Sequence, residues 1–480
     1  MTLLQHRAFV NGQWVESATG QSFSVYDPAN GNEIGTVPDM SGKEVVSAID
    51  SANNALQTWR KLTAKQRAEY LMNWHQLILE NQADLAELIT LESGKPLSES
   101  LGEVAYGASF IQWFAEEGKR AYGDVIPSTS ADRRLQTLKQ PVGVCAAITP
   151  WNFPVAMITR KLAPALAAGC TAIVKPAEST PFSALALASL SQQAGIPEGV
   201  INVVTAAKGA EIGAVLCDSP TIRKLSFTGS TDVGKKLLAQ CANTVKRVSM
   251  ELGGNAPFIV FDDADLEEAV EGALASKFRN AGQTCVCTNR ILVQSGVYAQ
   301  FSEKFARAVS KLKVGSGMNP KHQIGPLISE PAMDKVDAHI RDALSQGAQL
   351  LIGGSGHSLG GLFYQPTVIA DVTPAMRIAS EETFGPVAPI FRFETEEQAI
   401  EMANDTEYGL AAYFYSTNIH RCLRVSEALE YGMVGVNEGI ISNEVAPFGG
   451  IKHSGLGREG SRSGIEEYLE TKYVCFGGLS

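Results

Sequence analysis

From Pro141 onward, apolar β-branched runs alternate with helix-patterned stretches: VGVCAAIT, MITRKLAPALAAG, TAIVKP, FSALALASLSQQAG, VINVVT, a further helix and RKLSFTG. That alternation leaves few folds open, because short strands joined through helices read as parallel strands of an α/β sheet. Gly169 and Gly195 stand where helices should stop, and Pro181 where one should begin. A second α/β series starts near Ala256 with PFIVF, and no Gly/Ser-rich or Pro-rich linker separates it from the first, so closely packed domains are expected. No solenoid-period repeat or low-complexity tract interrupts the pattern.

A length of 480 residues with 45% apolar residues suits two or three well-cored domains. The eight cysteines are scattered and form no paired disulfide or metal-ligand framework, which predicts a reducing, cytoplasmic setting and no structural metal. The opening MTLLQHRAFVNGQW lacks a long apolar core, and the stretch from Val142 to Ile158 is broken by Pro150, Asn152 and Pro154. Neither a signal peptide nor a membrane span is expected. A net charge of -11 argues against nucleic acid as a partner, and disfavours anionic substrates unless a local cationic pocket overrides the field.

Chemistry concentrates in FRNAGQTCVCTNR, Phe278 to Arg290. Leu266, Ala269, Val270, Ala273 and Leu274 recur at helical spacing after an acidic start, predicting a helix from Asp265 to Lys277. Gly282 then loosens the chain before Cys285 and Cys287. Either thiol could be a small buried hydrophobe, but a cysteine just past a helix is also where a nucleophile would sit. Upstream, VSMELGGN (Val248 to Asn255) reads as a short strand ending in Glu251 and opening into paired glycines. Glu251 is either a solvated strand end or a base able to deprotonate a thiol or activate water.

A third element, Gly229-x-x-x-x-Gly234, lies between a strand and the helix Val233 to Gln240. The usual G-x-G-x-x-G fingerprint is missing. A glycine turn at a helix start can still let backbone amides approach a pyrophosphate, although an ordinary strand-to-helix turn would look the same. The fingerprint rule would make Glu251, roughly 20 residues on, the ribose-binding acid.

Five further motifs follow in order: TPWNFP (Thr149 to Pro154), KPAE (Lys175 to Glu178), FTGSTDVG (Phe227 to Gly234), EETFGP (Glu381 to Pro386) and PFGGIKHSGLGRE (Pro447 to Glu459). With the cysteine and glutamate elements, they resemble the NAD(P)-dependent aldehyde dehydrogenase superfamily across almost the entire chain. GQTCVCTNR and ISNEVAPFGG are most similar to its succinate semialdehyde dehydrogenase branch. The resemblance implies an aldehyde dehydrogenase-like α/β fold. Residues 1–123 and 143–253 would form a Rossmann-type cofactor domain, 254–453 an α/β catalytic domain, and 124–142 with 454–480 a small β oligomerisation arm.

It also implies roles. Cys285 would attack the aldehyde, Asn152 and the Cys285 amide would hold the oxyanion, Glu251 would activate water, and Lys175 would order the cofactor ribose. Glu459 would relay protons or be a solvated charge. Cofactor binding would fall to Trp151, Lys175, Glu178, Phe227, Gly229, Ser230, Gly234, Leu252, Glu382 and Phe384, which takes the ribose role away from Glu251. The cofactor is NAD or NADP. Glu178 favours NAD, since a carboxylate accepts hydrogen bonds from both ribose hydroxyls and repels a 2′-phosphate.

Arg160, Arg279 and Ser442 match positions that bind a distal carboxylate. The implied substrate is a semialdehyde acid, succinate semialdehyde first, with the glutarate homologue or a broader aldehyde range as alternatives. Isolated arginines also cap helices or form surface pairs. Cys287 is either a packing thiol or the partner of Cys285 in a reversible disulfide, and the other six cysteines read as packing residues. Strand-like Arg133 to Gln140 and Tyr468 to Phe476, with Glu470 near the interface, would join copies of the chain into a dimer or tetramer. Two rivals are a catalytically silent binding protein on the same scaffold and a coenzyme A acylating dehydrogenase.

Overall fold

In a computed structural model, which describes residues 3–479, the predicted alternation becomes a doubly wound sheet. Its eight strands run in the order Gln13–Val15, Ala8–Val10, Ile201–Val203, Thr171–Lys175, Val144–Ile148, Ile222–Thr228, Arg247–Glu251, Gly455–Leu456. The five central strands pair in parallel and both margins are antiparallel. Neighbouring residues point to opposite cores: Cys145 and Ala147 pack into one apolar cluster and Val144 and Ala146 into another. Both faces are therefore covered, which explains the continuous apolar character of these strands in sequence.

Caps fall where the sequence put them. Pro181 opens the helix Pro181–Gln193, and Gly169, at φ 97°, ends Ala156–Ala168 in the left-handed region. Strand order reverses between Val144–Ile148 and Ile222–Thr228. A ligand crevice belongs at the carboxyl ends of strands at such a switch point. The turns leaving those two strands carry Asn152 and Gly229.

A second sheet of seven strands runs Gln349–Ile352, Thr367–Ala370, Val387–Phe393, Thr288–Gln294, Ala256–Val260, Ala411–Tyr415, Met433–Val436, parallel except at its first strand. Its core is aromatic, with Phe258 stacked on Tyr415 at 5.2 Å between ring centroids. The chain enters Thr288–Gln294 directly from the cysteine segment.

Leu469–Phe476, Arg134–Pro141 and Val125–Ile126 form a separate antiparallel sheet in which Leu469 faces Pro141 and Phe476 faces Arg134. The segment 454–480 is not wholly arm, however. Gly455–Leu456 first joins the margin of the eight-stranded sheet beside Glu251. One packing expectation fails: Cys475 is exposed, because alternate residues of the arm strand face outward with little beneath them.

Candidate active site

The helix Leu266–Phe278 starts on Asp265, whose carboxylate accepts the Glu267 and Glu268 amides at 2.9 and 3.2 Å. It ends abruptly. Asn280, Ala281 and Gly282 all adopt left-handed backbone, at φ 49°, 54° and 77°. Non-glycine residues held this way cost roughly 1–3 kcal/mol each and need surrounding structure to impose them. Glu99 supplies one restraint, accepting the Asn280 amide at 2.8 Å. Gln283, fully buried, supplies more: its Nε2 donates to the carbonyls of Asn280 and Pro326, and its Oε1 accepts the Ile328 amide. Across the chain, Gly254 comes so close to the Cys285 carbonyl that a Cβ there would stand 2.5 Å from the oxygen. A side chain at 254 would push the cysteine loop away.

Asn152 is carried to the same loop. Its Nδ2 donates to the Gln283 carbonyl at 2.9 Å, leaving its second N–H without a partner among the described residues. Its own carbonyl accepts from Lys95 and Asn280. Lys95 in turn pairs with Glu103, whose other oxygen caps the first amides of the next helix through Val155 at 2.8 Å. Lys95, Glu99 and Glu103 recur every fourth residue, Lys95 just before and the two acids within the helix Leu97–Glu117. Sequence reading passed over all three and Gln283. The i, i+4 spacing was a signal, but it does not say which loops the helix meets.

Cys285, Asn152, Arg160, Arg279 and Ser442 border one cavity of about 570 Å³. Trp151, Gly229, Ser230, Leu252, Glu382 and Phe384 line it too, Trp151 meeting Phe384 edge-on at 5.8 Å. Cys285 keeps some surface toward the cavity, yet the dense surroundings push its thiol up to about 12. Burial is the main cause, followed by the Glu382 charge. Burial likewise pushes Glu382 up to about 7, although its Oε1 accepts the Gly254 amide at 3.0 Å.

Glu251 is 2% exposed and neither carboxylate oxygen has a hydrogen-bond partner among the described residues. Burial first, then repulsion by Glu459, hold it well above the usual carboxylate range. Glu459 lies 2.8 Å from Arg160 and 2.5 Å from Lys161, which keep it ionised. Of these two acids Glu459 holds the charge and Glu251 the proton. Glu251 does not border the cavity, and only when ionised would its charge raise the Cys285 thiol.

The two arginines differ. Arg160 is ion-paired to Glu459 and lies 3.9 Å over the Phe448 ring. Arg279 sits 5.2 Å from the Phe153 ring and, among the described residues, pairs with no carboxylate. Cys287 is buried, its Sγ accepting from Thr284 at 3.3 Å and donating to the Lys277 carbonyl at 3.5 Å.

The expected cofactor residues divide between places. Ser230 caps the helix Thr231–Cys241, accepting the Val233 amide, and the Gly229 amide donates to the Glu251 carbonyl at 3.0 Å. A Cβ on Gly234 would lie 2.4 Å from Leu252 Cδ2, so a side chain there would displace Leu252 from its place beside the helix. Phe227, next to last in the preceding strand Ile222–Thr228, is buried. Lys175 and Glu178 lie apart from the cysteine cavity, paired at 3.3 Å, and Glu178 lines a cleft of about 910 Å³ with Ser179 and Ala207. An amide-rich helix start at one end and a ribose-sized acid at the other suit an extended dinucleotide.

Comparison with known proteins agrees with this geometry. The aldehyde dehydrogenase family model matches residues 14–474. An Escherichia coli protein named succinate-semialdehyde dehydrogenase (NADP+) is 62% identical over 475 residues, covering 99% of this chain and 98% of that protein. A Pseudomonas aeruginosa glutarate-semialdehyde dehydrogenase is 58% identical over 99% of each chain. The crystal structure of an E. coli NADP-dependent enzyme superposes with a TM-score of 0.98 at 61% identity, over 99% of each chain.

Proposed function

The chain belongs to the aldehyde dehydrogenase family, and we propose on that footing that it oxidises succinate semialdehyde to succinate with NAD(P)+. The observation that carries the substrate is Arg279, a guanidinium that among the described residues makes no ion pair with a carboxylate, on the cavity that holds Cys285 and Ser442. An aldehyde with an acid at its far end supplies the missing anion. This local cation outweighs the overall charge of -11 because a charge-assisted contact in a closed cavity is screened far less than the long-range field.

In this reading the Cys285 Sγ bonds to the aldehyde carbon, its proton passing to base, and gives a tetrahedral thiohemiacetal. The oxyanion takes the second Asn152 N–H and the Cys285 amide, donors typically worth roughly 3–4 kcal/mol each in a dry site. When bound, NAD(P)+ accepts the hydride that leaves this carbon, so that a thioester remains on Cys285. Glu251, once deprotonated, would take a proton, relayed through an intervening water because its carboxyl lies behind the cavity wall, from the water that attacks the thioester; the carbon–sulfur bond breaks and the acid departs. The neighbouring Glu459 keeps the pair short of a second charge and so sets how readily Glu251 gives up its proton. Glu382 and Phe384 would orient the nicotinamide end, and Lys175 and Glu178 the adenosine ribose.

Glu178 favours NAD. The E. coli relative is named for NADP+, so overall similarity does not carry this choice, whereas a carboxylate at the ribose does. A Cys285–Cys287 disulfide would block the nucleophile, and forming it requires Cys287 to release the Lys277 carbonyl. Cytoplasmic residence and a homo-oligomer complete the reading. The test is a panel of succinate semialdehyde, glutarate semialdehyde and butanal with either cofactor, followed by NADH or NADPH absorbance with and without coenzyme A. Preference for the semialdehyde acids without coenzyme A supports it; equal use of butanal, a need for coenzyme A, or no turnover overturns it.

A further inference from the structure

Helix Leu97–Glu117, which restrains the cysteine loop through Glu99, also presents Tyr106 to the cavity bordered by Cys285, Arg160, Arg279 and Ser442. The ring packs edge-on against Phe110, with centroids 4.9 Å apart. The hydroxyl is closed off from solvent and has no hydrogen-bond partner among the described residues. Buried polar atoms are nearly always paired, so one left open on a cavity wall points to a partner that arrives with the ligand.

What that ligand carries follows from the charges nearby. The groups acting on the phenol are, in order, Arg160 and Arg279, then Glu459 and Cys285. Burial holds the phenol above its ordinary range, so it stays protonated and a donor. Arg160 is ion-paired to Glu459, yet its Nε and Nη2 have no hydrogen-bond partner among the described residues. An incoming carboxylate has about four lone-pair sites, more than Arg279 alone can fill, and a neutral O–H satisfies one without adding charge.

We propose that Tyr106 is a specificity-determining residue: its phenol Oη donates a hydrogen bond to the anionic end of the aldehyde, which it shares with Arg160, Arg279 and Ser442. This rests on the semialdehyde-acid reading above.

Tyr106→Phe removes the hydroxyl and keeps the ring against Phe110. In the full-length enzyme at saturating NAD+, kcat/KM for succinate semialdehyde should fall about tenfold or more, chiefly through KM, with butanal changed by less than about twofold. A second measurement avoids the semialdehyde altogether: 4-hydroxybutyrate, which has the carboxylate and no aldehyde, should inhibit butanal oxidation with a Ki raised by a similar factor in the variant. If the wild type prefers succinate semialdehyde and Tyr106→Phe keeps the full preference and an unchanged Ki, the role of Tyr106 is overturned and the substrate reading stands. Equal losses on both aldehydes would make the tyrosine structural and also overturn it. If the wild type neither prefers the semialdehyde nor is inhibited by 4-hydroxybutyrate, the substrate reading falls and this proposal with it.

Discussion

At Cys285 burial pushes the thiol up to about 12, and at Glu251 burial and Glu459 hold the proton on the carboxyl. Both groups must lose a proton to work, so the sign is shared: raising the pH favours the reactive form of each. Activity should therefore climb from about pH 6 to about pH 9, and a profile that falls over this range would contradict the assignment. Glu251→Gln should slow thioester hydrolysis more than its formation, leaving a pre-steady-state burst of NADH. Loss of the burst with normal steady hydrolysis would reverse the role given to Glu251. At the cofactor end, Glu178→Ser removes a carboxylate that would repel a 2′-phosphate, so the NADP-to-NAD ratio of kcat/KM should rise about tenfold or more. An unchanged ratio would place Glu178 away from the ribose.

Among the elements, helix Leu97–Glu117 does what no motif announced. Glu99 holds the Asn280 amide and, through Lys95, Glu103 ties the Asn152 turn to the helix that carries Arg160. Glu99→Ala strands that amide, a loss of about 1–3 kcal/mol, and frees a loop already strained at Asn280 and Ala281. We expect kcat to fall about tenfold with the affinity for NAD+ unchanged, because the helix Thr231–Cys241, proposed to meet the cofactor, lies elsewhere. A kcat equal to wild type would show that Gln283 alone fixes the loop. The contrast with the legible parts is physical. Pro181, Gly169 and Asp265 act within a few residues of themselves, so their pattern survives in sequence, as do the strands whose two faces are both buried. Lys95, Glu99 and Gln283 act on segments tens to hundreds of residues away. A charged helix residue with a distant partner looks in sequence like a solvated one. The strand Gly455–Leu456, two residues long, carries no periodicity at all, yet it closes the sheet beside Glu251.

For the whole molecule, the arm sheet is the part whose surface a single chain leaves unfinished. Leu469–Phe476 is an edge strand, and apolar side chains on the arm lie open: Val125 is 83% exposed, Tyr473 59% and Phe476 48%. Unpaired strand edges with exposed aromatic residues invite another copy of the chain. The root of the arm is fixed independently, since Arg247 donates to the Leu469 carbonyl and Lys224 pairs with Glu467. Charges placed at the tip should therefore disrupt assembly and not the fold. Tyr473→Glu with Phe476→Glu should bring the mass measured by light scattering down to that of a single chain or a smaller oligomer. Turnover should survive in part, because Cys285, Asn152, Arg279 and Tyr106 all come from one chain and meet far from the tip in sequence. A double variant with the wild-type mass, or a wild type that is itself monomeric, would show that the arm does not mediate assembly. Complete loss of activity alongside an intact circular dichroism spectrum would instead mean that a neighbouring copy braces the strand carrying Glu251.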